Sequence, residues 1–143
     1  MKKTKQKLLI VIMVIVALAI VAVVTSTGHS DPYKTKEYKQ LEVNEIFKGD
    51  HYVYFYSPKD SKSVSSDTGI RTLNKGISDL YFVNLNEKND DLKEIDLTKY
   101  GNLKEIKPTT LIHVKGGKID KVYKGVAQIN NAQEKILEGS WDE

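Results

Sequence analysis

From Leu8 to Val24 run 17 consecutive residues with no charged or hydroxyl side chain, LLIVIMVIVALAIVAVV. As an α-helix rising about 1.5 Å per residue, this segment reaches roughly 26 Å, close to the ~30 Å hydrocarbon core of a bilayer once flanking residues are counted. Transfer of so many Ile, Val and Leu side chains into lipid is favourable, so the segment is expected to form a single transmembrane helix. Lys2, Lys3, Lys5 and Lys7 precede it, and the next lysine is Lys34. That bias predicts a cytoplasmic basic tail over residues 1–7 and an extracytoplasmic location for everything after residue 24. The run is longer than the apolar core of about 7–15 residues in a cleaved signal peptide. Its exit, Val23-Val24-Thr25-Ser26-Thr27-Gly28, lacks an A-x-A pattern, and no cysteine is present for a lipoprotein signal. An uncleaved signal anchor at the cell membrane is therefore favoured over a cleaved signal.

The remaining chain is polar, and the mean hydropathy of −0.40 conceals that division. Four of the 22 basic residues lie ahead of the apolar run and no acidic residue does, so the rest carries 18 basic and 19 acidic groups, a net of −1. The sequence pI of 8.9 thus reflects the tail and not the domain. Lysines interleaved with Asp and Glu give no basic footprint, and nucleic acid is not expected as a partner. With 40% hydrophobic and 29% charged residues, the chain is neither low-complexity nor wholly disordered. Cysteine is absent. Disulfides, thiolate zinc sites, iron–sulfur clusters and thiol nucleophiles are excluded together. An exported domain without cysteine behind a short lysine-rich N-terminus fits a low-GC Gram-positive bacterium. Residues 25–37, small and polar with Asp31-Pro32 among them, read as a stalk. The folded domain is expected over 38–139, with a tail at 140–143 carrying Trp141.

Leu41 to Phe47 spaces its apolar residues like a short helix, ended by Lys48-Gly49-Asp50. His51 to Tyr56 is aromatic and β-branched throughout and predicts a central strand covered on both faces. Ile70, Leu73 and Ile77 recur at helical spacing, weakened by Gly69 and Gly76. Leu80 to Val83 reads as a second strand. Asn84 to Asp91 reads as a solvated Asn- and Asp-rich loop, and Leu92, Ile95 and Leu97 as a brief helix ending near Tyr100-Gly101. Thr109 to Val114 and Ile119 to Tyr123 predict strands joined by a tight Gly116-Gly117 turn. Gln128 to Leu137 predicts a closing helix. The order α-β-α-β-α-β-β-α implies an α/β fold, a mixed sheet with helices on both faces.

Three segments in this order resemble the thioredoxin-like superfamily over roughly Tyr38 to Leu137. Val53-Tyr54-Phe55-Tyr56-Ser57-Pro58 is similar to the strand that leads into the family's redox loop. Ile106-Lys107-Pro108-Thr109-Thr110-Leu111 is similar to its cis-proline segment. Gly116-Gly117-Lys118 followed by Val122-Tyr123-Lys124-Gly125 is similar to its last hairpin and the glycine before its final helix. The resemblance implies a thioredoxin-like mixed sheet flanked by helices, and a cis bond at Lys107-Pro108. It puts the two cysteine positions at Asp60 and Ser63, in Asp60-Ser61-Lys62-Ser63. Disulfide exchange needs a thiolate to attack and a second sulfur to resolve the mixed disulfide, and a carboxylate and a hydroxyl supply neither. The family's buried proton-accepting carboxylate would fall at Tyr54, which cannot serve near neutral pH.

What the resemblance leaves is a peptide-binding surface. Lys107, Pro108, Thr109 and the Pro58–Ser63 loop would form a groove, with Tyr56 as an apolar wall. The expected function is a redox-inactive accessory or scaffold that binds a protein or peptide partner at the extracytoplasmic face. Alternatives are a degenerate redox accessory to a cysteine-bearing partner, and an enzyme using Asp60 or Lys62.

Other constellations point nowhere stronger. Ser61, Ser63, Ser65 and Ser66 lack a base placed in reach, since the histidines are His29 in the stalk, His51 and His113. The Asn84–Asp91 segment has oxygen ligands, but it lacks the glycine at the sixth position of a calcium loop and puts Lys88 where a ligand should be. No P-loop or dinucleotide fingerprint occurs, and no cofactor or metal is expected.

Overall fold

In a computed structural model of the chain, which describes residues 31–59 and 67–139, the organising element is strand β1, His51–Tyr56. All six of its residues are buried. It pairs in parallel with β2 (Leu80–Asn84) and antiparallel with β3 (Thr110–Lys115), which pairs antiparallel with β4 (Lys118–Lys124). The four-stranded sheet has the order β2-β1-β3-β4. Three helices flank it: α1 (Asp67–Gly76), α2 (Leu85–Lys93) and α3 (Gly125–Glu138). The chain is a mixed α/β protein, as its alternating pattern predicts.

Alternation along β1 divides the core. Tyr52, Tyr54 and Tyr56 join Ile70 and Leu73 of α1 and Ile129, Ala132 and Ile136 of α3. Val53 and Phe55 join Val83, Ile112 and Val114, covered by Leu85 and Leu92 of α2 and by Ile46. Helices on both faces account for β1's lack of a polar side. Gly69 and Gly76, which weaken α1 as a helix, let it approach α3: a Cβ at either would meet Asn130 or Leu137 of that helix. The β3–β4 turn has φ +61 at Gly116 and +75 at Gly117, the left-handed pair that a two-residue hairpin requires.

Three expectations are corrected. The segment Asn84–Asp91 is not a loop but most of α2. Asn84 caps it, accepting the Asn86 amide at 2.9 Å, and Leu85 and Leu92 are buried. Burial of those leucines outweighs the weak helix propensity of Asn and Asp. The helix expected over Leu41–Phe47 contracts to a 3-10 turn at Val43–Glu45, and a second 3-10 turn, Leu97–Lys99, follows α2. The packed domain also begins before Tyr38. Tyr33, within the segment read as a stalk, is wholly buried, stacked on Phe82 at 5.0 Å and edge-on to Tyr38, Tyr54 and Tyr56. Arg71 of α1 closes over Tyr33 and Tyr38 at 5.9 and 5.6 Å.

The expected membrane anchor at 8–24, the four positions Asp60, Ser61, Lys62 and Ser63, and the tail at 140–143 lie outside the described residues. Among the described residues no helix is long and apolar enough to cross a membrane.

Tyr33→Ala is expected to destabilise the domain by about 3–5 kcal/mol, the cost of truncating a buried aromatic. Thermal unfolding of the full chain measures it, and an unchanged midpoint would return residues 31–37 to the role of a stalk.

Candidate functional site

In open α/β sheets, ligands meet the end where parallel strands present their carboxyl termini. Here that end collects the last residues of β1 and β2 and the first of β3. The Thr109 amide donates to the Phe55 carbonyl at 2.8 Å, and Phe55 pairs with Thr110. The Thr109 carbonyl in turn accepts the Gly125 amide at 2.8 Å, at the head of α3. The Pro108 segment, the end of β1 and the start of α3 are thereby stitched together. A cleft of about 390 Å³ opens there, lined by Glu105, Lys107, Pro108, Thr109, Thr110, Lys124 and Gly125. Pro58, half-buried, follows Ser57 out of the same end of β1.

The Lys107–Pro108 bond is trans, contrary to the cis geometry implied by the resemblance, because no described peptide bond is cis. The chain turns instead at Thr109, whose φ of +64 is left-handed although threonine is β-branched. Both backbone groups of Thr109 are consumed in the fold, while Lys107 makes no backbone hydrogen bond among the described residues. Its exposed side chain meets Glu105 at 3.2 Å, a surface pair of little energetic weight. An extended partner strand would therefore find its main-chain contacts at Lys107 and not at Thr109.

Tyr56 is not an apolar wall of this cleft. It has no exposed surface, because its ring packs among Tyr33, Tyr54 and Phe82. Its hydroxyl donates to Asp31 Oδ2 at 2.6 Å and accepts from Gln40 Nε2 at 3.1 Å. Asp31 Oδ2 also accepts Asn84 Nδ2 at 3.0 Å, and Oδ1 accepts the Tyr33 amide at 2.8 Å. Burial, reinforced by the Asp31 carboxylate, pushes the Tyr56 phenol far above its ordinary value. Ser57 Oγ donates to Asn86 Oδ1 at 2.8 Å, tying the exit of β1 to the first turn of α2.

Asp31 is the residue that sequence reasoning missed. An Asp-Pro pair in a small polar stretch reads as a turn, and nothing local signals that its carboxylate meets side chains 25 and 53 positions away. Tyr54, matched by resemblance to a buried carboxylate, is core. The two described histidines are also occupied: His51 Nε2 contacts the Ile46 carbonyl at 2.7 Å and His113 Nδ1 contacts Asp120 at 3.1 Å. Among the described residues no group of three or more His, Cys, Asp or Glu side chains could hold a metal ion.

Tyr56→Phe is expected to cost about 1.5–3 kcal/mol, the worth of a hydrogen bond to a charged group. It should also flatten the alkaline limb of stability. A phenol whose folded pKa is raised contributes stability fully below the ordinary tyrosine value of 10.0 and loses it as pH climbs above that value toward the folded one. Melting temperatures from about pH 8 to about 11 should fall less steeply in Tyr56→Phe than in the parent. Parallel curves would show that this phenol is not the group responsible.

No model of a known protein family matches the chain, and no curated protein sequence matches it, so the functional reading rests on this geometry.

Proposed function

We propose that the chain is a membrane-anchored, extracytoplasmic thioredoxin-like domain without redox activity, serving as an accessory or scaffold that binds an extended segment of a partner protein. The reading is carried by one observation. The Thr109–Phe55 hydrogen bond of 2.8 Å holds the Pro108 segment against the exit of β1, beside a cleft of about 390 Å³. The parallel β1–β2 unit, the terminal β3–β4 hairpin, and Gly125 at the head of the last helix also support it.

The chemistry is set by composition. With no cysteine anywhere in the chain, no residue can form or resolve a mixed disulfide. A fold of this kind without sulfur retains its capacity to hold main chain. Lys107, with an unpaired backbone among the described residues, offers the donor and acceptor for such pairing, and Pro108 supplies a rigid apolar face.

A photoreactive amino acid replacing Lys107 in the full chain, activated in native membranes, should crosslink reproducibly to one protein or a small set. Lipid and random neighbours alone would end the binding reading. The purified full chain should not accelerate insulin disulfide reduction above buffer, and measurable turnover would contradict the assignment of a redox-inactive domain.

A further inference from the structure

A second concavity, of about 810 Å³, shares no lining residue with the Pro108 cleft. Its walls come from the 3-10 segment before β1 and from the end of α2. The floor is apolar: Val43, Phe47, Ile95 and Tyr100 are half-buried, and the Phe47 and Tyr100 rings stack at 4.0 Å and 7°. On the rim stand Asp91 and Glu94, both exposed, one helical turn apart at the end of α2. Neither forms an ion pair among the described residues.

Charge decides what such a surface accepts. Two carboxylates at i and i+3 repel each other, and the carboxyl terminus of α2 adds the negative end of a helix dipole. Lys48, the only lysine or arginine in the lining, is already held by Glu45 at 3.0 Å, and Glu42 across the concavity is bridged by Lys88 at 3.1 Å. Among the described residues, the carboxylates of Asp91 and Glu94 are thus left without an ion-pair partner. A bare metal ion does not suit it, since no described cluster supplies three such ligands. An organic cation does, because its aliphatic stem can cover the apolar floor while its charge stays at the wet rim.

We infer that this concavity docks a basic segment of a partner protein, with a lysine or arginine between Asp91 and Glu94 and its stem on the Phe47–Tyr100 pair. Recognition combines cation–carboxylate attraction with contact to an aromatic face. The inference does not depend on the Pro108 cleft, because every residue it uses lies elsewhere.

The test uses the full chain in nanodiscs of zwitterionic lipid, titrated with a short peptide alternating lysine with leucine and with its glutamate-for-lysine counterpart. The lysine peptide should perturb the Val43 and Ile95 methyl resonances and bind more weakly as salt rises, while the glutamate peptide should not bind. Because both carboxylates are exposed, the double variant Asp91→Lys, Glu94→Lys should fold normally and lose at least about ten-fold in affinity. Lys107→Glu, in the other cleft, should leave the affinity unchanged. Equal binding of the two peptides, full affinity in the double variant, or a loss confined to Lys107→Glu would each overturn the proposal.

Discussion

Three tyrosines on one face of a wholly buried strand set the terms for the rest of the structure. Tyr52, Tyr54 and Tyr56 alternate along β1 and point into the layer closed by α1 and α3. Their rings favour burial, but each carries a hydroxyl whose loss of water must be offset by a protein partner. Among the described residues no buried side-chain nitrogen or oxygen is left without one. For Tyr56 the partner comes from outside the sheet, from Asp31, and the chain must fold back past β2 to deliver it. That return also covers the outer edge of β2: the Lys39 carbonyl accepts the Phe82 amide at 2.8 Å and the Leu41 amide donates to the Phe82 carbonyl at 3.0 Å. One demand for a hydrogen bond thus accompanies the closure of an edge that would otherwise invite another strand.

The opposite edge is managed by different means. β4 exposes Lys118, Lys121 and Lys124, and Tyr100 accepts the Ile119 amide at 2.7 Å. Lysines on an edge strand discourage pairing with a second chain because their burial would be costly. A break in register between His113 and Val114 bends the hairpin further from a flat template. Away from these edges, among the described residues, the backbone of Lys107 is unpaired at the end of the sheet beside Pro108.

Local pattern was enough to find β1, β2, the hairpin, α1 and α3, because each announces itself within its own residues. β1 is apolar without interruption, Gly116-Gly117 can adopt the paired left-handed turn, and the apolar spacings of α1 and α3 survive their glycines and asparagines. What escaped depends on distant partners. The Asn and Asp of α2 prefer caps and turns in isolation, and only burial of Leu85 and Leu92 against the sheet makes them helical. Tyr33 and Asp31 look like linker because their contacts lie across the fold. At the candidate site, a left-handed threonine has no sequence signature at all, since residue statistics argue against it. Thr109 keeps that conformation at a cost of roughly 1–2 kcal/mol. The hydrogen bonds to Phe55 and Gly125 hold it there.

The arrangement of Asp31 bears on whether this end of the sheet performs chemistry. A general base needs a free lone pair within reach of the proton it removes. A carboxylate has about four acceptor positions. In Asp31 both oxygens are engaged, by the Tyr33 amide, the Tyr56 hydroxyl and the Asn84 amide group. The phenol beside it is held protonated by burial and by that same carboxylate, to which it donates its proton at 2.6 Å. A half-buried acid that accepts three hydrogen bonds is a fastening, and it ties the exits of β1 and β2 to the segment around Tyr33. Rigidity of that kind suits the proposed surface, in which Lys107 and Pro108 keep a constant geometry. For the proposed binding of an extended segment, that rigidity would lower the entropic cost of association.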